Sequence, residues 1–138
     1  MSDEETEISE PKILVGTSGF SYKDWKGYFY PQKIKDAQML PFYANYFPVV
    51  EINSTYYGIP DPRNMEAMVN KTEGKMEFVV KANQDITHNR EKVEDALPAF
   101  KEALKPLQDH NVLGGVLLQF PYSFMHNQPN RDYIAMLK

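Results

Sequence analysis

Short apolar segments alternate with longer amphipathic segments along most of the chain. The apolar segments are residues 13–16, 49–53, 76–82 and 112–119, and each is bounded by glycine, proline or polar residues. Such segments are typical of β-strands. The sequence therefore predicts four strands.

A segment of helical period follows each predicted strand. Leu40, Tyr43, Ala44 and Phe47 are spaced as one apolar face of a helix over residues 36–46. Asp61 before Pro62 is typical of a helix start, with an N-cap side chain followed by proline at the first helical position. Further helices are predicted over residues 62–74 and 93–109 and from residue 130 onward. Strands and helices in this order favour a parallel sheet with right-handed crossovers.

Polar residues stand at the carboxyl ends of the later strands. Glu51 and Asn53 share one strand face, Lys81 and Asn83 share the face of Val79, and Gln119 ends the fourth strand. A polar strand face favours the interior of a barrel over an open sheet covered by helices on both faces. We therefore predict an α/β fold, a parallel β/α barrel of TIM type with about four β/α units present.

Four ordered motif blocks resemble the YecE-like family, also called domain of unknown function 72. They are GTSGFSYKDW (16–25) with FYP (29–31), VEINSTYY (50–57), FVVKA (78–82) with ITH (86–88), and QFP (119–121) with SF (123–124). The resemblance implies a TIM-type barrel with a pocket, and the family has no settled activity. It covers the N-terminal half only, and places the domain at residues 11–138.

A complete eight-unit barrel needs about 250 residues, so four units leave two open strand edges. Three origins remain open. The chain is a fragment of a longer one, a truncated gene product, or a half-barrel that pairs with another copy or another polypeptide. We favour truncation, because the last helix ends after about two turns where helices average about three. Self-association through the open edges is the expected partner interaction.

The charge of the chain is concentrated at its N-terminus. Residues 1–10, MSDEETEISE, include acidic side chains and no Lys or Arg, and the whole chain has a formal net charge of −4. This composition predicts a disordered acidic tail. The rest is nearly neutral and has no basic patch, so we expect no nucleic-acid partner. With no cysteine and no apolar run approaching the ~20 residues that span a bilayer, we expect a cytoplasmic protein without membrane association.

Glu51 and Lys81 are the candidate catalytic residues. A carboxylate in a barrel interior is expected to pair, and Lys81 on the next strand is its natural partner. One interpretation is an ion pair that sets strand register. The other is an acid/base pair in which Lys81 transfers protons or binds an anionic group.

The other candidate residues would bind a ligand. Asn53, Asn83 and Gln119 offer amides for hydroxyl or carbonyl groups, or bond to one another. Thr17 and Ser18 lie in a glycine-flanked turn that suits a phosphate but is more simply a tight turn. Trp25 and Tyr57, with Tyr22, Tyr28 and Tyr56, either stack a ligand or cap the core. His88 is expected to orient the ligand; with Asp85 and Glu51 it offers metal donors, but His110 and His126 are poorly placed to join them.

The sequence therefore predicts an enzyme acting on a small polar, sugar-like or phosphorylated compound at the carboxyl ends of the strands. The alternative is a non-catalytic binding or partner protein whose half-barrel is completed by another chain. No metal is expected, and the sequence identifies no cofactor.

Overall fold

The computed structural model describes residues 10–138, so the predicted acidic tail lies outside the described residues except for Glu10, which is exposed. Its strands are β1 (Gly16–Ser18), β2 (Val49–Ile52), β3 (Glu77–Lys81) and β4 (Leu113–Leu117). Its α-helices are α1 (Asp36–Ala44), α2 (Pro62–Lys71), α3 (Gln84–Thr87), α4 (Val93–Asp109) and α5 (Gln128–Met136). Short 3-10 turns cover Lys23–Trp25, Ser54–Tyr56 and Arg90–Lys92.

The four strands form one parallel sheet in the order β1-β2-β3-β4. Thr17 is paired with Val50, Val50 with Phe78, and Val80 with Val116. The predicted parallel α/β arrangement is confirmed. In the described part of the chain, β1 and β4 are the outer strands of the sheet.

The hydrophobic core lies between one sheet face and the helices. The strand residues that face it alternate with half-buried ones, as the period of a strand requires. Sheet and helices contribute side chains to it, including Leu40, Tyr43, Val50, Ile52, Met65, Val69, Phe78, Val80, Phe100, Leu104 and Leu107. Burying each large apolar side chain stabilises the fold by about 1.5–3 kcal/mol. The opposite sheet face has no helix layer in the described residues.

The first strand begins later than predicted. β1 runs over Gly16–Ser18, so of the predicted strand over residues 13–16 only Gly16 belongs to it. Ile13 and Val15, before the strand, are 84% and 67% exposed. Pairing with β2 starts at Gly16, where any side chain would collide with the Val49 carbonyl. Glycine therefore permits the close approach of the two strands.

Two other elements differ from the sequence prediction because of side-chain caps. Residues 83–90, over which no helix was predicted, contain α3, whose N-terminus is capped by Asn83. The last helix begins at Gln128 rather than Asn130, because the Asn127 side chain caps it. In both cases a polar side chain accepts a backbone N–H and starts a helix that apolar periodicity does not reveal.

No helix in the described part of the chain is both long enough and apolar enough to cross a membrane.

Candidate functional site

The polar candidate residues follow the sheet face that lacks helices, hereafter the open face. Glu51, Val79 and Lys81 on this face are half-buried and lie outside the hydrophobic core. Glu51 is paired with Val79, whereas Lys81 is paired with Leu117. Lys81 therefore lies closer than Glu51 to the carboxyl edge of the sheet.

A chain of hydrogen bonds joins the ends of β1 and β2. The Ser18 hydroxyl donates to Glu51 Oε1 at 3.3 Å and accepts from Asn53 Nδ2 at 2.5 Å. The Tyr22 hydroxyl donates to the Ser18 carbonyl, which fixes the loop that follows β1. We call Ser18, Glu51 and Asn53 the strand-end triad. It offers a carboxylate, a hydroxyl and an amide within one hydrogen-bonded group.

Lys81 and His88 both lie against the ring of Tyr56. The Lys81 ammonium is 4.5 Å from the centre of the Tyr56 ring, within the range of a cation–π contact. The His88 ring lies 5.3 Å from the Tyr56 ring at nearly a right angle. His88 Nδ1 is 2.8 Å from the Thr87 hydroxyl, so this neighbour orients the imidazole. A cationic group and a titratable ring thus share one aromatic surface.

The expected ion pair between Glu51 and Lys81 is wrong. In the described residues the Lys81 ammonium pairs with no carboxylate, and its contact is the Tyr56 ring. The strand register explains the difference, because it sets Glu51 opposite Val79 rather than opposite Lys81. Both groups remain half-buried at the open face.

Two predicted ligand-binding residues have their polar groups engaged within the fold. The Thr17 hydroxyl donates to the Gly19 carbonyl at 2.7 Å and lies 2.8 Å from the Tyr43 hydroxyl. Asn83 is buried; its amide donates to the Thr55 carbonyl at 3.0 Å and accepts from the Asp85 N–H at 3.0 Å. These contacts hold the first strand and the start of α3 in place.

The predicted aromatic and amide residues occupy separate places. Trp25 packs on Tyr22 and Tyr30, at 4.8 and 5.8 Å between ring centres, and borders the core. Tyr57 is exposed beside Tyr56, and Gln119 is exposed two residues beyond β4. The structure therefore groups Ser18, Glu51 and Asn53, groups Lys81 with His88 through Tyr56, and places Trp25 with the core.

Thr55 is a positioning residue that the sequence did not indicate. It is buried, and its hydroxyl donates to the Lys81 carbonyl at 2.6 Å. This bond joins the turn after β2 to the end of β3 and so fixes the backbone that carries Lys81. A threonine in a polar turn carries no pattern that distinguishes this role.

Two of the surface grooves lie on opposite sides of the sheet. One, of about 420 Å³, covers the amino-terminal half of the open face between Lys12, Glu77 and Gly114 and reaches Glu51 and Ser18. The other, of about 650 Å³, lies between α1 and the end of α2 on the helix side of the sheet. Only the first groove touches the strand-end triad. In the described residues, no three His, Asp or Glu side chains are grouped as metal ligands.

Comparison with known proteins identifies similar chains. The family model described as "Protein of unknown function DUF72" matches residues 14–138. The UPF0759 protein YunF of Bacillus subtilis (strain 168) is 34% identical over an alignment of 132 residues, and the match covers 91% of this chain and 46% of that protein.

Solved structures of the same family resemble the fold. A DUF72 family protein of Thermotoga maritima MSB8 superposes with a TM-score of 0.76 at 37% identity, over 90% of this chain and 50% of that one. A DUF72 family protein of Enterococcus faecalis V583 gives a TM-score of 0.77 at 26% identity, over 91% and 46% of the two chains. The chain thus spans about half the length of the relatives it matches.

Proposed function

We propose an enzymatic function for this chain, which belongs to the DUF72 family. The four β/α units form half of a TIM-type barrel. The substrate that binds at the carboxyl ends of its strands is a small polar, sugar-like or phosphorylated compound. The observation that carries the proposal is the strand-end triad, with Lys81 on the same sheet face and closer to the carboxyl edge. In TIM barrels this edge carries the active site.

The functional groups suit a polyhydroxylated anion. Asn53 offers an amide, and Glu51 a carboxylate, to hydroxyl groups of a bound compound. Lys81 has no carboxylate partner in the described residues, so its charge is available to a phosphate or carboxylate. The exposed Tyr57 ring offers a flat apolar surface beside these polar groups.

The proposed chemistry is acid/base catalysis. Glu51 takes a proton from the carbon next to a carbonyl group of the bound substrate, and the electron pair of the broken C–H bond moves onto the carbonyl oxygen. The Lys81 ammonium stabilises the negative charge on that oxygen. The Ser18 hydroxyl orients the Glu51 carboxylate by donating to it, and Asn53 holds that hydroxyl by donating to its oxygen. His88, which lies against the Tyr56 ring, orients the ligand.

Isothermal titration of the full chain with glucose 6-phosphate, glycerol 3-phosphate and glucose tests the substrate class. Lys81→Met is expected to weaken binding of the phosphorylated probes by about tenfold or more, because a charge-assisted contact is lost. Lys105→Met, on the exposed face of α4, is the matched control and should bind as the wild type does.

Deuterium uptake from solvent into C2 of glucose 6-phosphate, which lies next to the aldehyde in the open-chain form, is followed by NMR and tests the acid/base role. Glu51→Gln should abolish the uptake while leaving binding within about a factor of three, and Glu102→Gln on α4 should change neither. Unchanged binding in Lys81→Met together with unchanged uptake in Glu51→Gln would remove the proposed roles.

A further inference from the structure

Arg90 differs in its surroundings from the other two arginines of the chain. Arg63 pairs with the Asp61 carboxylate at 2.8 Å. Arg131 is exposed and donates to the Gln128 side-chain oxygen at 2.9 Å. Arg90 is half-buried, and in the described residues its guanidinium forms no ion pair. A charge that has lost part of its hydration is stabilised by an opposite charge, and this part of the chain supplies none to Arg90.

The groups that contact the Arg90 guanidinium are uncharged. Its central carbon lies over the ring of Phe124 and over the ring of Tyr133, at 5.0 and 5.1 Å from the ring centres. Nη1 donates to the Asn130 side-chain oxygen at 3.1 Å. Burial raises the pKa of Tyr133 above its ordinary value, and the Arg90 charge opposes this rise only in part, so the hydroxyl is neutral at pH 7. The three contacts hold the cation in place without neutralising it.

Two of these contacts are themselves fixed by the fold. The Tyr133 hydroxyl donates to the Ile86 carbonyl. Asn130 Nδ2 donates to the Met125 carbonyl at 2.7 Å. The Arg90 side chain is therefore held in one position before anything binds to it. A group that is held in this way loses less conformational entropy on binding than a mobile one.

Most of the hydrogen-bonding capacity of Arg90 is unused. A guanidinium has five N–H donors. In the described residues, the acceptor that Arg90 finds is the Asn130 oxygen. No buried side-chain nitrogen in this part of the chain lacks a hydrogen-bond partner, so Nε and Nη2 of Arg90 reach the surface. These two nitrogens form a planar fork that fits two oxygens of one carboxylate or phosphate.

The Arg90 fork lies at the carboxyl edge of the sheet. Arg90 follows α3, the first helix after β3, and Phe124 belongs to the segment after β4. We propose that Arg90 binds an oxyanion group of a ligand, a phosphate or a carboxylate, through Nε and Nη2. The site goes beyond the proposed function, because it requires no role of Glu51 or Lys81.

Two-dimensional NMR of the isotope-labelled full chain tests the proposal through the Nε–H signals of the three arginines. Arg63→Lys and Arg131→Lys each remove one signal, which assigns the third to Arg90 without altering it. Inorganic phosphate and citrate are titrated separately at constant ionic strength, with sodium chloride as the reference. The Arg90 signal should move saturably with at least one oxyanion, whereas the signal of Arg131, the exposed control, should not.

The two titrations also separate the possible ligands. Saturation with phosphate alone identifies a phosphorylated ligand, saturation with citrate alone identifies a carboxylate ligand, and saturation with both supports a site for either group. An Arg90 signal that moves no more than it does with chloride would overturn the proposal. This result needs no substitution of Arg90, so it stands even if variants at that position fail to fold.

Isothermal titration with the same oxyanion separates binding from a purely structural role of Arg90. Arg90→Lys keeps the charge and loses the fork, so it should bind about tenfold more weakly than the wild type. Arg131→Lys is the matched control and should bind as the wild type does. If Arg90→Lys is folded by circular dichroism and its affinity is unchanged, the fork has no binding role and the proposal is overturned. The readouts do not involve the Glu51 and Lys81 variants, so either proposal can fail alone.

Discussion

The hydroxyl of Tyr43 joins three elements of the fold. It accepts from the Thr17 N–H at 2.8 Å and donates to the Val49 carbonyl at 3.1 Å, while its ring is fully buried. A buried polar atom must find partners, and here the partners belong to β1 and β2. One side chain of α1 thereby fixes the spacing of the first two strands. The Thr17 hydroxyl, predicted to bind a ligand, also lies within hydrogen-bond distance of the Tyr43 hydroxyl inside the fold.

Tyr43→Phe should lower the free energy of unfolding by about 1–3 kcal/mol. The reason is that the Thr17 N–H and the Val49 carbonyl lose a hydrogen-bond partner in a buried setting. Urea denaturation followed by circular dichroism gives the difference. Tyr28→Phe, at a side chain that is 92% exposed, removes the same atom at the surface and should have little effect. Equal losses in the two variants would contradict this account.

The sequence located some site residues and not others, for identifiable reasons. Alternation along β2 and β3 placed Glu51 and Lys81 on one face, because strand period is a local property. Ion pairing between them depends on register, which the alternation of one strand does not contain. Asn83 fits the same alternation in the sequence, but in the structure it lies beyond β3 and its side chain caps α3. A four-residue helix has too little apolar period to be seen in advance.

At the scale of elements, α2 shows that neighbouring residues in the sequence can predict where a helix begins. Asp61 and Pro62 predicted its start, and the structure confirms it, because the Asp61 side chain accepts the Arg63 N–H at 2.8 Å. Helix α4 likewise runs over the predicted residues. The predicted start of β1 was wrong. The strand begins where the chain meets Tyr43 and Val49, and both residues are distant from it in sequence.

The N-cap of α2 should contribute a pH-dependent part of the stability. Arg63 donates side-chain and backbone hydrogen bonds to the Asp61 carboxylate, and these lower the pKa of Asp61 to about 2. Because the folded pKa is below the unfolded value of about 3.9, the stabilisation is present above pH 4 and is lost as the pH falls from about 4 to about 2.

Asp61→Asn keeps a capping side chain and removes the charge. The urea midpoints of wild type and Asp61→Asn should therefore differ at pH 7 and converge near pH 2. Other titrating groups are shared by both proteins and cancel in the comparison. A difference that stays constant over this range would show that the charge of Asp61 contributes nothing.

At the scale of the whole molecule, the parallel sheet could be predicted and its closure could not. Each strand and each crossover leaves a local trace in the sequence, so the order of elements followed from periodicity. The partner of an outer strand leaves no such trace in the sequence. Every residue type except proline carries the same backbone N–H and C=O groups, so these groups do not indicate whether a strand edge is paired. The TIM-type barrel therefore stays a prediction, and its test must examine the edges.

Hydrogen exchange at the edge strand provides that test for the intact chain. The Phe78 N–H on β3 donates to the Val112 carbonyl at 2.8 Å and should be protected at all protein concentrations. The Leu117 carbonyl accepts from the Ala82 N–H on β3, so the Val116 N–H points to the free edge and should exchange quickly if no strand pairs there. A closed barrel pairs the outer side of β4 with another strand, so slow exchange of the Val116 N–H is the result that a closed TIM-type barrel requires. Exchange at the Val116 N–H that is as fast as in the unfolded chain contradicts closure of the sheet at β4.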